Sequence, residues 1–451
     1  MSKNKTTYVC SAEDCDYRSP RWLGQCPRCK EWNTLQELIE TPSVHPTVAP
    51  VGGSTPIPIS QLSATDGEVR LRVGIQELDR VLGGGLVTGS LVLIGGDPGV
   101  GKSTLLLMVL DRFARRGIPT LYVSAEESAR QVQLRAERLG IGGDTLFLLA
   151  ETDLDRALSA VDQVGPKVLV LDSVQTLCAP HIGSVPGSVA QVREVAARAM
   201  ALAKGRDLPT FLVGHVTKQG GLAGPKALEH LVDTVIYFEG DGSTQLRALR
   251  ATKNRFGSTG ELGFFEMSSA GLVEVPDASA RMLSERVPDA PGTAVVAAME
   301  GSRPLLAEVQ ALVGRPTPGT PGRTVLGLDK GRLDMLVAVL GKLGYALHDR
   351  DVFASAAGGI RLTEPAADLA IAVALASSLR ERPIDPGTLV FGEIGLVGEL
   401  RAVSHPNLRV IEAARHGFRR VIAPAAAARH APEGVELIGV RTLRDALAAL
   451  A

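Results

Sequence analysis

The octapeptide Gly96-Asp97-Pro98-Gly99-Val100-Gly101-Lys102-Ser103 matches G-x-x-x-x-G-K-[ST] at every fixed position. Glycines at these sites let backbone N–H groups curl around a β-phosphate, where a Cβ would block the turn. Lys102 is placed to reach β- and γ-phosphates, the Ser103 hydroxyl to bind Mg²⁺, and Thr104 to open the following helix. The implied substrate is ATP with Mg²⁺. Asp172 ends the apolar run VLVLD, where a carboxylate holds the same Mg²⁺ directly or through water. Glu126 and Glu127 follow the run TLYVS, and a carboxylate there can polarise the attacking water. Either of them could instead be a solvated charge at a helix N-terminus. His215 ends the run TFLVG and could sense the γ-phosphate, although a lone histidine is more often structural.

Cys10, Cys15, Cys26 and Cys29 follow the spacing C-x₄-C-x₁₀-C-x₂-C. Four thiolates with no open position make a structural Zn²⁺ site, and so short an aliphatic-poor segment depends on its metal to fold. Cys178 stands apart and reads as an ordinary thiol. Two further segments carry positive charge. Residues 218–226 (KQGGLAGPK) hold Lys218 and Lys226 among glycines, with no acid. Residues 245–257 hold Arg247, Arg250, Lys253 and Arg255, again with no acid in the interval. Such stripes suit phosphate, of ATP or of a nucleic-acid backbone, and a merely solvated face is the alternative.

The elements that must position these groups follow from apolar patterning. LVLIG (91–95), TLYVS (120–124), VLVLD (168–172), TFLVG (210–214) and TVIYF (234–238) are nearly continuous apolar runs separated by amphipathic stretches. That alternation predicts a mostly parallel sheet covered on both faces. Leu246–Thr252 and Gly263–Met267 add an edge hairpin. A helix from Thr104 to Arg116 aims its positive end at the phosphate loop. The chain divides into a Cys₄ module over 1–40, a Pro-rich linker over 41–65, an α/β ATPase core over 66–275 and a second α/β domain over 286–451. Residues 41–60 hold five prolines and no Lys, Arg, Asp or Glu, the composition of an extended tether.

Composition sets outer bounds. With 451 residues, 45% apolar and 22% charged, the chain can build more than one core. A formal net charge of −1 confines any nucleic-acid contact to local patches. No long apolar run free of charges or turn residues occurs, so no membrane span or membrane partner is expected. The opening segment lacks an apolar signal region, and the expected location is cytoplasmic.

Beyond single motifs, the chain resembles the bacterial RadA (Sms) family of DNA repair proteins over essentially its whole length. The resemblance rests on SPRWLGQCPRCKEWNTL, GGDPGVGKST, YVSAEES, VLVLDSVQT, PGSVAQVRE, GHVTKQGGLAGPKALEHLVDTV, ATKNRFGSTGELGFFEM, LTEPAADLAIA and VFGEIGLVGELR. It implies a RecA-like ATPase core, a zinc module and a C-terminal domain similar to that of Lon protease. It also implies homo-hexameric rings and a DNA-stimulated ATPase that extends or branch-migrates recombination intermediates, on single-stranded or branched DNA, alongside the recombinase RecA. By the same resemblance Glu126 is the catalytic glutamate and His215 the γ-phosphate sensor. Lys253 and Arg255 are similar to the family's basic pair, coupling ATP to DNA. Two departures are visible: x₄ rather than x₂ between the first two cysteines, and Gln219 in place of an expected glutamate.

Lon-type proteolysis needs a serine nucleophile and a lysine. The matching segment Thr363-Glu364-Pro365-Ala366-Ala367-Asp368 has alanine at the nucleophile position, and Ala402–Arg409 contains no lysine. The domain is expected to be proteolytically silent. An ATP-dependent protease and a RecA-like signalling ATPase are the competing functions, the first opposed by Ala366 and the second by the KNRFG segment and the cysteine module.

Overall fold

The computed structural model describes residues 6–10, 18–19, 21–22, 24–30, 32, 35–39, 70–215, 228–240, 246–316, 320–427 and 431–450. Cys15, Lys218, Lys226 and the Pro-rich segment lie outside them. Two compact units are present, 1–63 and 64–451.

In the first unit, β1 (Thr6–Cys10), β2 (Arg18–Ser19) and β3 (Leu35–Ile39) form an antiparallel sheet in the order β2-β1-β3. Cys10 closes β1, opposite Leu35. The second cysteine pair sits on a tight turn. The Lys30 N–H donates to the Cys26 carbonyl at 2.8 Å, Lys30 adopts φ +62°, and Cys26 is buried.

The second unit begins with a small antiparallel pair, β4 (Arg70–Leu71) and β5 (Leu86–Val87), flanking α1 (Gln76–Val81). Its first sheet contains β6 (Leu91–Gly96), β7 (Thr120–Ser124), β8 (Leu146–Ala150), β9 (Val168–Asp172), β10 (Thr210–Val213) and β11 (Thr234–Glu239). These six are mutually parallel; β12 (Leu246–Asn254), β13 (Leu262–Ser268) and β14 (Gly271–Glu274) continue the sheet antiparallel. The order is β14-β13-β12-β11-β6-β10-β9-β7-β8. Every residue of β6, β7, β9 and β10 is buried, as strands covered on both faces require. The edge strand β8 is only half buried, and the expected hairpin is in fact a three-stranded extension. Helices α2 (Lys102–Ala114), α3 (Ala129–Arg138), α4 (Leu154–Val164) and α5 (Val189–Gly205) supply the crossovers. Ser128 caps α3 with a complete capping box and Ser188 caps α5, which fixes where each helix starts.

After α6 (Ala278–Leu283) comes a second sheet, formed by β15 (Thr293–Glu300), β16 (Arg303–Pro316), β17 (Arg323–Leu326), β18 (Arg350–Ala356), β19 (Thr388–Val390), β22 (Arg420–Pro424) and β23 (Glu436–Val440). Its order is β17-β18-β16-β15-β19-β22-β23, with a separate hairpin of β20 (Glu393–Ile394) and β21 (Leu400–Arg401). Helices α7 (Lys330–Lys342), α8 (Asp368–Arg380), α9 (Pro406–Arg415) and α10 (Leu443–Ala449) accompany it. Residues 368–377 of α8 are all buried, which is why the segment reads as apolar without an amphipathic stripe.

The two sheets are joined by packed contacts. Leu262 and Phe264 of the first meet Ala278, Met282 and Leu305 in one apolar cluster. Buried Glu77 of α1 accepts from the Phe264 N–H and from Arg303 of β16. Arg250 of β12 reaches Glu300 of β15 at 2.9 Å. Among the described residues no helix is long and apolar enough to cross a membrane.

Candidate nucleotide-hydrolysis site and metal centres

The phosphate loop leaves the carboxyl end of β6 and enters α2 at Lys102, the edge at which parallel α/β sheets bind ligands. Gly101 stands at φ +114°, and a Cβ on Gly96 would lie 2.5 Å from the Phe238 carbonyl oxygen. No other residue fits either position without moving the backbone. Lys102 is 4% exposed, and its ammonium donates to the carbonyls of Gly96 at 2.8 Å and Asp97 at 3.0 Å. Burial pushes its pKa below the ordinary lysine value, against the pull of Asp172, Glu126 and Asp97. A phosphate anion would replace the loop carbonyls as partner of that charge.

Asp172 ends β9 and is buried. The Tyr122 hydroxyl donates to its Oδ2, the Ser103 hydroxyl is within hydrogen-bonding reach, and Oδ1 has no hydrogen-bond partner. An unsatisfied buried carboxylate oxygen next to a serine hydroxyl is a hard-oxygen donor set of the kind Mg²⁺ takes. Desolvation raises the Asp172 pKa; a divalent cation would reverse that.

The capped start of α3 separates the two glutamates that sequence left open. Glu127 turns back to Arg135 of α3. Glu126 points to the ends of β9 and β10. Its Oε1 accepts from the Ser173 hydroxyl at 2.8 Å, and His215 Nε2 lies 3.0 and 3.1 Å from its two oxygens. The His215 hydrogen bond, followed by those of Ser173 and the Lys102 charge, holds the Glu126 carboxyl below the usual range despite partial burial. Ligating atoms of Glu126, Asp172 and His215 all lie within 4.8 Å of one another. An ionised, oriented carboxylate beside a phosphate loop can align and polarise a water for in-line attack. Ser173 and Tyr122, which orient the two carboxylates, were not singled out from sequence.

A cavity of about 680 Å³ opens from Gly96 and Asp97 toward Tyr237, Arg250, Glu300 and Arg361. Lys102, Ser103, Glu126 and Asp172 do not line it, so it adjoins the phosphate site without containing it.

Lys253 and Arg255 lie elsewhere. In register, Val235 pairs with Lys253 and Thr234 with Asn254, while Thr234 also pairs with Val92 at the start of β6. The basic pair therefore sits at the amino ends of the parallel strands. The phosphate loop leaves the other end of β6, roughly 17 Å away at about 3.3 Å per strand residue. Neither side chain can serve the phosphate loop of the same chain. The basic stripe also has acidic partners that its own interval lacks. Arg255 pairs with buried Asp233 at 3.0 Å, and Arg250 bridges Glu239 and Glu300. Lys253 donates to the Glu229 carbonyl and, at 2.7 Å, to that of Val232. Burial, and then the Arg255 charge, lowers its pKa.

In the second sheet, the segment matching the Lon nucleophile is a buried turn at Pro365–Ala367. Arg409 of α9 is fully buried and donates to Glu364, to the Ala297 carbonyl and to the Ser404 carbonyl. Ala366, where the resemblance places the nucleophile, offers only a methyl group, and Arg409, which closes the lysine-free segment 402–409, is paired with Glu364. Three arginines of this half are engaged as well: Arg303 on Glu77, Arg332 on Asp368, and Arg323 on the Leu347 and Arg350 carbonyls.

In the first unit, Cys10, Cys26 and Cys29 lie among the described residues. Buried Cys26 and half-buried Cys29 share one turn, and Cys10 ends β1. The comparisons agree with this layout. A family model described as a rubredoxin metal binding domain matches residues 8–37, one described as an AAA domain matches 58–221, and one described as subunit ChlI of Mg-chelatase matches 333–427. The DNA repair protein RadA of Streptococcus pyogenes serotype M6 is 48% identical over 455 aligned positions, covering 100% of both chains. That of Bacillus subtilis is 46% identical, covering 99% of both, and that of Listeria monocytogenes 46%, covering 99% of this chain and 98% of its own. With a zinc ribbon, a RecA-like P-loop ATPase core and a Lon-like C-terminal domain in the order those relatives share, the chain belongs to the RadA family of bacterial DNA repair proteins.

Proposed function

We propose that the chain hydrolyses ATP with Mg²⁺ under stimulation by single-stranded or branched DNA, and that this drives branch migration or related processing of recombination intermediates beside a RecA recombinase. The observation that carries the reading is Glu126 held between Ser173 and His215 beside Asp172. Glu126 acts as the base, Ser103 and Asp172 hold Mg²⁺, Lys102 stabilises the transferring phosphoryl group, and His215 senses it. His215 leads directly into the segment with Lys218 and Lys226, so DNA contact there would bear on the residue touching Glu126. Zn²⁺ on Cys10, Cys15, Cys26 and Cys29 holds the first unit.

The placement of Lys253 and Arg255 supports a ring in which they serve the neighbouring subunit's nucleotide in trans. That arrangement is testable by mixing. Lys102→Ala subunits have a dead site but an intact Arg255, whereas Arg255→Ala subunits have an intact site but no finger. Each alone should lose DNA-stimulated hydrolysis, and an equimolar mixture should recover a measurable part of it. No recovery, with both proteins folded and co-assembled, would refute action in trans. If Arg255→Ala instead weakens DNA binding and lowers its salt slope by about one, the residue grips phosphate.

The C-terminal domain is a scaffold for assembly or DNA binding, not a protease. With ATP, the purified protein should cleave unfolded casein no faster than the Lys102→Ala control. Cleavage that copurifies with the protein would contradict this.

A further inference from the structure

The turn that follows β9 carries more than the serine on Glu126. It runs from Ser173 to Thr176 and is closed by the Thr176 N–H, which donates to the Ser173 carbonyl at 3.3 Å. The Val174 N–H donates to the Val213 carbonyl at 2.9 Å, which ties the turn to β10. Gln175 lies on this turn, 8% exposed, and its Nε2 donates to the His215 carbonyl at 3.3 Å. The opposite amide orientation would set oxygen against oxygen, so the donor is the nitrogen. One turn therefore reaches Glu126 by two routes. Ser173 Oγ donates to its Oε1 at 2.8 Å, and Gln175 holds the backbone of the histidine whose Nε2 lies 3.0 and 3.1 Å from its two oxygens.

The imidazole depends on that hold. A histidine acting through one ring nitrogen is ordinarily oriented by a hydrogen bond at the other. Here Nδ1 is buried and has no partner among the described residues. The ring is set by Glu126 and by its own backbone, and β10 has already ended at Val213. Packing alone does not explain the choice of glutamine. Gln175 Oε1 is buried and unpaired, a cost that an apolar side chain of the same length would avoid.

We propose that Gln175 is a positioning residue for hydrolysis: its amide holds the His215 backbone so that the imidazole keeps the Glu126 carboxylate in place. It acts through His215 and not on the reacting atoms. The inference rests on the reading of Glu126 as the base, and it is independent of where or how DNA binds.

The experiment is steady-state ATP hydrolysis by the full-length protein without DNA, with kcat and KM separated, beside a thermal-unfolding profile. Gln175→Ala should lower kcat about fivefold, the effect of one hydrogen bond, and leave KM for ATP within about twofold. Gln175→Met keeps the length and burial of the side chain without the donor, and kcat should fall as far as in the alanine variant. Should Gln175→Ala fail to fold, Gln175→Met decides. His215→Ala should lower kcat further than either. Adding Gln175→Ala to it should change little, because the tether then has no ring to place. Parental kcat in Gln175→Met overturns the proposal, since packing alone then suffices. A raised KM with unchanged kcat overturns it, as does a loss in the double variant equal to the product of the two single losses. Glu126→Gln tests the underlying reading separately. Parental turnover by that variant removes Glu126 as the base and takes the Gln175 inference with it. An inactive Glu126→Gln beside a parental Gln175→Met removes only the latter.

Discussion

The Lys102→Ala protein is expected to fold as the parent does and to hydrolyse ATP at least about a hundredfold more slowly, with or without DNA. The ammonium lies at the mouth of the loop, and at rest it is held by the Gly96 and Asp97 carbonyls. Its burial already costs free energy, seen as a lowered pKa, so removing it does not deprive the fold of a favourable charge. Backbone N–H groups of the loop and the α2 N-terminus remain, so ATP binding should weaken far less than turnover. What disappears is charge stabilisation that grows as the phosphoryl group transfers. Lys102→Arg should be nearly as slow, since the wider guanidinium cannot occupy a position that is only 4% exposed. The check is steady-state phosphate release beside a thermal-unfolding profile. Parental turnover by a folded Lys102→Ala protein would remove the loop from the chemistry.

How much of this was legible in the sequence depended on distance along the chain. The phosphate loop is a contiguous motif whose requirements are local, so its spacing was sufficient. Four of the core strands are buried on both faces and therefore appear as unbroken apolar runs. Strand β8, LFLLA, is equally apolar but lies at the sheet edge, where half-burial gives no distinct pattern, and it was not anticipated. Cooperation between distant residues was harder to see. Ser173 meets Glu126 across 47 positions, and Tyr122 meets Asp172 across 50. The interval 245–257 contains no acid, yet Asp233 just before β11, Glu239 at its end and Glu300 of β15 come to it. Placing Lys253 and Arg255 at the amino ends of the strands required the register of β11 against both β6 and β12, which no composition encodes.

The Lon-like half makes its own prediction, because a structural ion pair, Arg409 with Glu364, lies beside the turn that carries Ala366. Arg409 is wholly buried and its donors are taken by Glu364, Ala297, and both the carbonyl and the hydroxyl of Ser404. Glu364 also accepts from the Met299 N–H at 2.7 Å. The pair thus ties α9 to β15 and to the turn carrying Ala366. Forming such a pair gains little over apolar packing, but removing one member strands the other in a low-dielectric interior. Glu364→Ala should therefore lower the stability of this half by about 3–5 kcal/mol. Arg409→Ala should cost a similar amount, leaving Glu364 and the Ala297 carbonyl without their donor. The Arg409→Met/Glu364→Leu protein should recover part of the loss and not all, since the Met299 N–H and Ala297 C=O remain unpaired. Denaturant unfolding must be followed by circular dichroism, because both tryptophans lie in the cysteine module. Basal ATP hydrolysis at low temperature should persist in every variant, as none of these residues approaches Lys102 or Glu126. A Glu364→Ala protein within about 1 kcal/mol of the parent would mean that water reaches the guanidinium and that the pair is not closed.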